Sequence, residues 1–160
     1  MAIIQVGADA PDFELPSSEL DNDKPGKKIK LSDYRGKQAV VLAFYPLDFS
    51  PTCTGEMKCF RDDLSALEGA NAAVLGVSVD SAWTHAAFKR ELGLKFPLVA
   101  DFHPKGAMAD TYGLYHADKG ITGRATVIVN KAGKVAWVKE QGLGEARDNK
   151  AILAALAALK

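Results

Sequence analysis

The chain has 160 residues, of which 48% are hydrophobic and 25% charged, and this is the composition of an ordinary globular protein. Its length predicts a single domain over residues 1–160, large enough to bury a core without disulfide or metal staples. Twenty basic residues balance twenty acidic ones and no apolar stretch exceeds nine residues, which argues against a nucleic acid or a membrane as partner.

The N-terminal residues, MAIIQVGADAPDF, contain no charged leader and no sustained apolar run, so we expect a cytoplasmic protein without a signal peptide. In a reducing compartment, two cysteines favour redox chemistry or plain packing over a permanent bridge. The polar segment 17–28, which contains Pro25 and Gly26, predicts a surface loop that closes an N-terminal hairpin.

Strand and helix patterns alternate after this loop. The continuous apolar run over residues 39–45 is typical of a strand buried on both faces of a parallel sheet. Residues 52–68 carry apolar side chains along one stripe, which predicts a helix. The other predicted elements are a strand over 73–79, a helix capped by Ser81 and ended by Gly93, a strand over 96–100, a short helix over 105–112, paired strands over 124–130 and 134–140, and a helix over 147–160. This order predicts an α/β protein of thioredoxin-like fold, in which an N-terminal β-hairpin accompanies a central mixed sheet flanked by helices.

Cys53 stands at the start of the predicted helix 52–68, after a loop that contains Pro46 and Pro51. Unpaired N–H groups and the positive end of the helix dipole favour a thiolate over a thiol at this place. A small buried apolar residue also fits the position, because free cysteines are often buried. The position alone therefore leaves both interpretations open.

The residues around Cys53, Pro46-x-x-x-Ser50-x-x-Cys53, resemble the Pro-x-x-x-Thr/Ser-x-x-Cys signature of the peroxiredoxins. The similarity extends over nearly the whole chain through GADAPDFELP, GVSVDS and FPLVADF, while DFHPKGAM and GEARD resemble the AhpE-like one-cysteine group, near the bacterioferritin comigratory (Q-type) branch. The resemblance implies an antioxidant enzyme that reduces hydrogen peroxide and organic hydroperoxides, with Cys53 as the nucleophile that becomes a sulfenic acid. It also implies a thioredoxin-like or low-molecular-weight thiol as reductant, a homodimer, and no cofactor.

The same resemblance assigns roles to three neighbours of Cys53. Pro46 shields the thiolate, the Ser50 hydroxyl binds the peroxide, and Arg124 completes the site from the strand that opens the late hairpin. Hydrogen-bond donors at such a site stabilise the negative charge that develops on the leaving oxygen, and Ser50, the Arg124 fork and the Cys53 amide supply them. Taken singly, each residue also has a plain interpretation, namely a loop proline, a turn serine and an exposed strand-end arginine.

Glu56 follows Cys53 by three residues and matches a glutamate that is common in the family. Two interpretations remain open for this side chain. It pairs with an arginine that faces the substrate, or it is a solvated carboxylate in the first turn of a helix, where the dipole favours it.

Cys59 is the candidate within this chain to reduce the sulfenic acid at Cys53. Q-type relatives commonly place the resolving cysteine after four intervening residues, whereas five intervene here and Lys58 stands at that position. Six residues along a helix give about 9 Å of rise and about 240° of rotation, so Cys59 points away from Cys53. Because a disulfide needs Cα atoms within ~7 Å, the first turns would have to unwind. A resolving Cys59 and a spectator Cys59 with an external thiol as reductant both remain open, while a resolving cysteine near the C-terminus is not expected.

Other kinds of site fit the sequence less well. Cys53 and Cys59 do not form the Cys-x-x-Cys of a dithiol oxidoreductase. We predict no metal site, because His85, His103 and His116 lack ligand spacing; His85 is expected on a polar helix face and the other two in loops. A non-enzymatic redox sensor or thiol-dependent binding module remains the alternative, since it needs the same reactive thiolate as a peroxidase.

Overall fold

The computed structural model describes residues 2–159. The strands are β1 (Glu14–Pro16), β2 (Leu20–Asp21), β3 (Lys24–Pro25), β4 (Lys28–Lys30), β5 (Ala39–Phe44), β6 (Ala72–Ser78), β7 (Leu98–Ala100), β8 (Tyr115–His116), β9 (Ile121–Thr122), β10 (Arg124–Val129) and β11 (Val135–Gln141). The helices are α1 (Pro51–Gly69), α2 (Ala82–Leu92), α3 (Ala107–Thr111) and α4 (Asn149–Ala157), and a 3-10 turn spans Leu31–Tyr34. The predicted order of the helices and of the central strands is confirmed, whereas the small hairpin formed by β8 and β9 was not predicted.

A five-stranded sheet in the order β11-β10-β5-β6-β7 forms the centre of the molecule. The strands β5, β6 and β7 run parallel, because the helices α1 and α2 cross back over the sheet between them. The strand β10 runs antiparallel to both β5 and β11. Every residue of β5 is buried, as its continuous apolar run predicts for a central strand covered on both faces.

The N-terminal hairpin is present, with β1 paired antiparallel to β4. The connection between these strands is more ordered than a plain surface loop, because β2 and β3 form a small ladder within it. Ser17 and Ser18, the first two residues of that predicted loop, are buried rather than exposed. The amide of Ser18 donates to the carbonyl of Leu98, which docks the hairpin against the edge of the central sheet.

Two apolar layers cover the sheet. One layer, packed beneath α1, α2 and α4, contains Cys53, Met57 and Phe60, and the other contains apolar residues from the N-terminal segment and α3. No helix within residues 2–159 has the length and apolar character that a membrane crossing needs.

The ends of α2 agree with the sequence prediction, whereas the start of α4 differs from it. Ser81 caps α2 by accepting a hydrogen bond from the amide of Thr84, and Gly93 ends that helix in the left-handed conformation, as predicted. The last helix begins at Asn149 instead of residue 147, because the Asp148 side chain caps it by accepting from the Lys150 amide. Arg147 therefore lies before the helix, and Lys160, the last residue of the predicted helix, falls outside the described residues.

The topology brings the predicted site residues to one edge of the sheet. The carboxyl ends of β5, β6 and β7 meet there, and the loop 45–50 leads from β5 into the first turn of α1. Because β10 is antiparallel to β5, its first residue, Arg124, lies at the same edge, next to the pair formed by Ala125 and Phe44. Residues about 70 positions apart in the chain thus become neighbours.

Candidate active site

Cys53 lies in the first turn of α1, with Ser50 as the N-cap residue and Pro51 as the first helical residue. Its side chain is fully buried and the thiol is free. The amide of Thr54 donates to the Ser50 carbonyl at 2.9 Å, which closes the first turn of the helix. The sulfur is thus held at the positive end of the helix, where a thiolate is favoured.

Arg124 points its guanidinium at this sulfur. The Nη2–Sγ distance is 3.3 Å, and only 2% of the arginine is exposed. The Nε and Nη2 groups also donate to the carbonyl of Leu143 at 3.0 and 2.8 Å, and Nη1 pairs with the Glu56 carboxylate. Arg124 is therefore buried, and the alternative interpretation of this residue as an exposed strand-end arginine is wrong. The guanidinium is held at a fixed place beside Cys53.

Glu56 is buried and lies between two arginines. One carboxylate oxygen accepts from Arg124, and the other accepts from the amide and the Nε group of Arg147 at 2.7 and 3.1 Å. Of the two interpretations left open for Glu56, the arginine pair is present and the solvated carboxylate is not. The side chain thus carries the counter-charge of the site and fixes the orientation of Arg124.

Arg147 is a site residue that the sequence did not identify, since it was expected as the first residue of the last helix. Its Nη groups donate to the carbonyls of Phe44 at 2.7 Å and Ala125 at 2.6 Å, and thus join β5 to β10. Burial lowers the pKa of the Arg147 guanidinium, while the neighbouring Glu56 carboxylate opposes that shift. The GEARD segment contained a signal for this position. Its Asp148 can cap a helix, and Arg147 then lies just before the helix.

Pro46 and Ser50 lie in the loop that precedes α1, and Pro46 is buried. The Ser50 hydroxyl donates its proton to the Leu47 carbonyl at 2.9 Å, and among residues 2–159 it makes no hydrogen bond with Cys53. With the proton engaged in this way, the lone pairs of the Ser50 oxygen are free to accept a hydrogen bond. Hydrogen bonds of Arg124 join Cys53 and Glu56 into one cluster, whereas Ser50 is partly exposed and donates to Leu47.

Cys59 lies on the same helix as Cys53, but the two side chains differ in their exposure to solvent. Cys53 is buried, Cys59 is exposed, and both thiols are free. The expected divergence of the two side chains along an intact helix is confirmed.

His85 differs from its prediction, since it is fully buried instead of lying on a polar helix face. Its spacing to Phe88 and Leu92, three and seven residues further on, was the missed signal for a buried stripe. It belongs to a second cluster with Asp48 and Asp80, in which the nearest nitrogen and oxygen atoms of the three side chains all lie within 4.8 Å of one another. His103 is exposed in a loop, as expected, whereas His116 lies partly buried in the strand β8 and not in the loop that was expected. Of the three histidines, His85 is the one that is fully buried.

Comparisons with known proteins point to one family. The AhpC/TSA family matches residues 6–138. The chain is 37% identical to alkyl hydroperoxide reductase E of Mycobacterium tuberculosis over 157 residues, which cover 98% of this chain and 99% of that protein. It is 41% identical to peroxiredoxin-2 of Mus musculus over 136 residues, which cover 81% of this chain and 66% of that one.

Solved structures show the same similarity. The reduced 2-Cys peroxiredoxin of Plasmodium vivax superposes with a TM-score of 0.86 at 30% identity, covering 96% of this chain and 81% of that one. The peroxidoxin BcpB of Mycobacterium tuberculosis superposes with a TM-score of 0.84 at 27% identity, covering 98% and 99%. The thioredoxin-like α/β fold expected from the order of elements is confirmed by these superpositions.

Proposed function

The chain belongs to the AhpC/TSA family of peroxiredoxins, and from this membership we propose that Cys53 is the nucleophile of its peroxidase activity. The protein is a thiol-dependent peroxidase with an antioxidant function. We further propose that residues 1–160 act as one domain. A reducing, cytoplasmic compartment is also proposed, because each turnover needs a free thiol at Cys53. Hydrogen peroxide and organic hydroperoxides are the proposed substrates.

The observation that carries the proposal is the contact between the Arg124 guanidinium and the Cys53 sulfur. The thiolate attacks one oxygen of the peroxide, a sulfur–oxygen bond forms, and the oxygen–oxygen bond breaks. The other oxygen leaves as hydroxide or alkoxide, and Cys53 becomes a sulfenic acid. A guanidinium already fixed beside the sulfur stabilises the charge on the leaving oxygen without reorganising during the reaction.

The charges around Cys53 support the same assignment. Arg124 and Arg147 bring two positive charges into the interior, and Glu56 supplies one negative charge. A thiolate at Cys53 balances the cluster, whereas a neutral thiol leaves one buried positive charge without a counter-charge. Because unpaired buried charges are costly, this arrangement favours the nucleophilic form of the cysteine.

Pro46 and Ser50 complement the charged groups. The buried Pro46 ring has no N–H to offer and excludes water from the thiolate. The Ser50 oxygen, whose own proton is donated to Leu47, accepts the hydrogen of the peroxide O–H group and so orients the substrate. We propose this acceptor role in place of the donor role that the sequence suggested for Ser50.

An external thiol closes the cycle in this proposal. The sulfenic acid condenses with a low-molecular-weight thiol or a thioredoxin-like protein, releasing water and forming a mixed disulfide, and a second thiol then returns Cys53 to the reduced state. Cys59 is exposed on the far side of α1, so its disulfide with Cys53 requires the first turns of the helix to unwind.

We propose that the protein forms a homodimer. The resemblance to peroxiredoxins implies one, and an exposed apolar surface supports it. Large exposed side chains follow each of the three parallel strands at the edge that holds the site: Leu47, Phe49, Trp83 and Phe102. Exposed apolar groups clustered on one edge are typical of protein–protein interfaces. A second copy of this chain is the proposed partner for this edge.

The Cys53→Ser variant tests the function directly. In a steady-state assay with peroxide and a recycling thiol, the parent is expected to turn over many times and Cys53→Ser to show no activity above background. The matched control, Cys59→Ser, retains the first oxidation step. Substantial activity in Cys53→Ser would reject the assignment, and a single stoichiometric oxidation of the parent would favour the redox-sensor alternative.

A further inference from the structure

We propose that Asp48 and His85 are positioning residues for the peroxide reaction, because their buried hydrogen bonds fix the loop that carries Pro46 and Ser50. The inference rests on the proposed role of Cys53. Among the described residues, neither side chain makes a hydrogen bond with the Cys53 sulfur, so both act through the backbone of the loop 45–50.

The loop 45–50 needs support from outside itself. Its first residue is held by β6, since the Tyr45 amide donates to the Val77 carbonyl at 3.0 Å. Further on, Phe49 adopts the left-handed conformation with φ 68°, which a bulky aromatic residue rarely does. Such a strained residue persists only where surrounding contacts over-determine the backbone. Asp48, the residue just before it, makes those contacts.

The Asp48 side chain is fully buried although it belongs to a loop. One carboxylate oxygen accepts from the Tyr45 hydroxyl at 2.6 Å, and the other lies 2.7 Å from the Nδ1 atom of His85. Burial, with Asp48 and Asp80 nearby, raises the pKa of Tyr45 well above its ordinary value, so this hydroxyl remains a donor. Both oxygens of Asp48 are thus engaged in the interior.

His85 connects the loop to two further elements. Its ring stands on α2 and is fully buried, and its Nε2 atom lies 3.0 Å from the Val99 carbonyl in β7. Because Val99 offers only an acceptor, Nε2 carries a hydrogen, and one more proton lies between Nδ1 and the Asp48 carboxylate. Removing either partner leaves a buried polar group without its hydrogen bond.

Asp80 adds a bond to the backbone of the same loop. Its carboxylate accepts from the Asp48 amide at 2.8 Å and from the Ser78 hydroxyl at 2.5 Å, which anchors the loop to the end of β6. A divalent cation bound among these side chains would have to displace the proton between Asp48 and His85. Asp48 is hydrogen-bonded to Tyr45 and His85, and Asp80 to the Asp48 amide and Ser78, so the hydrogen bonds of the cluster hold the loop in place.

The variants Asp48→Ala and Asp48→Asn separate positioning from a purely structural role. Alanine removes both side-chain contacts and lets the strained loop relax, so we expect the rate constant for Cys53 oxidation by hydrogen peroxide to fall about 10- to 100-fold. Asparagine keeps the contacts, because its oxygen accepts from Tyr45 and its amide donates to a neutral His85. Asp48→Asn is therefore expected to recover the rate to within about threefold of the parent.

The measurement is stopped-flow oxidation, checked by mass spectrometry after an acid quench, with Asp118→Ala, at an exposed loop aspartate, as the control. Alkylation of Cys53 by iodoacetamide is measured in parallel; it is expected to be retained in Asp48→Ala, since it does not depend on the placement of the peroxide. Should Asp48→Ala fail to fold, Tyr45→Phe removes a single hydrogen bond to Asp48 and is expected to slow oxidation about threefold or more.

Equal oxidation rates in the parent, folded Asp48→Ala and Tyr45→Phe would overturn the positioning role, even if the melting temperatures differ. A slow Asp48→Asn variant would also overturn it, because that variant preserves the contacts. A parent that does not react with peroxide at all would instead reject the proposed function of Cys53.

Discussion

The two turns of α1 that carry Cys53 and Cys59 belong to one helix but offer opposite environments. Cys53 is buried beside the Arg124 guanidinium, whereas Cys59 is exposed. The helix dipole acts mainly on the first turn and contributes about 0.3–1 kcal/mol at an exposed site. The larger difference between the two thiols comes from residues that other elements bring to Cys53, and above all from β10.

The strongest test of this comparison removes the Arg124 side chain, which β10 brings to Cys53. The Arg124→Met variant keeps Cys53 in the same helical turn but takes away the donor at its sulfur. We expect the rate constant for peroxide oxidation to fall about 100- to 1000-fold, as when a fixed donor is removed from an oxyanion site. The measurement is stopped-flow oxidation under pseudo-first-order conditions.

Arg90→Met, at an exposed arginine on α2, is the matched control and is expected to leave the rate unchanged. A rate for Arg124→Met within threefold of the parent would mean that the turn of helix alone activates the thiol.

A second variant sharpens the comparison by keeping both arginines and removing their shared counter-charge. Glu56→Gln removes the carboxylate that pairs with both buried arginines, Arg124 and Arg147, so we expect the free energy of unfolding to fall by about 3–5 kcal/mol. Urea denaturation followed by circular dichroism measures the effect. Glu68→Gln, an exposed position on the same helix, is expected to change it by less than about 0.5 kcal/mol. Equal losses in the two variants would show that the buried pairs contribute nothing specific.

The smallest expected effect concerns the other cysteine. Cys59→Ser should oxidise at Cys53 at a rate within about twofold of the parent, because the exposed thiol takes no part in the attack on peroxide. After one equivalent of peroxide without added thiol, we expect the mass of the parent to show added oxygen. A loss of two hydrogens in the parent, absent from Cys59→Ser, would instead show an internal disulfide and unwinding of α1.

Local patterns predicted the fold and the position of Cys53 at the start of α1, for physical reasons. The apolar run of β5 and the capping residues of α2 act over a few positions, so the sequence displays them directly. The Pro46-to-Cys53 signature is likewise local, and it located the loop and the first turn of α1.

Residues whose roles depend on distant elements were harder to predict. Arg147 was expected at the start of a last helix whose apolar residues face inward, yet its guanidinium spans β5 and β10. The burial of His85 depends on its neighbours Asp48 and Val99, which lie 37 and 14 positions away. The direction of the Ser50 proton depends on a single backbone carbonyl, that of Leu47, and no sequence pattern encodes this contact.

The location of Glu56 one turn after Cys53 links the chemistry of the sulfur to the integrity of the helix. If α1 unwound far enough for Cys59 to approach, Glu56 would leave with it, and two like charges would face each other in the interior without an anion between them. The ion pairs of this carboxylate therefore oppose unwinding of α1. A disulfide between Cys53 and Cys59 would form in the oxidised enzyme only at the free-energy cost of breaking them.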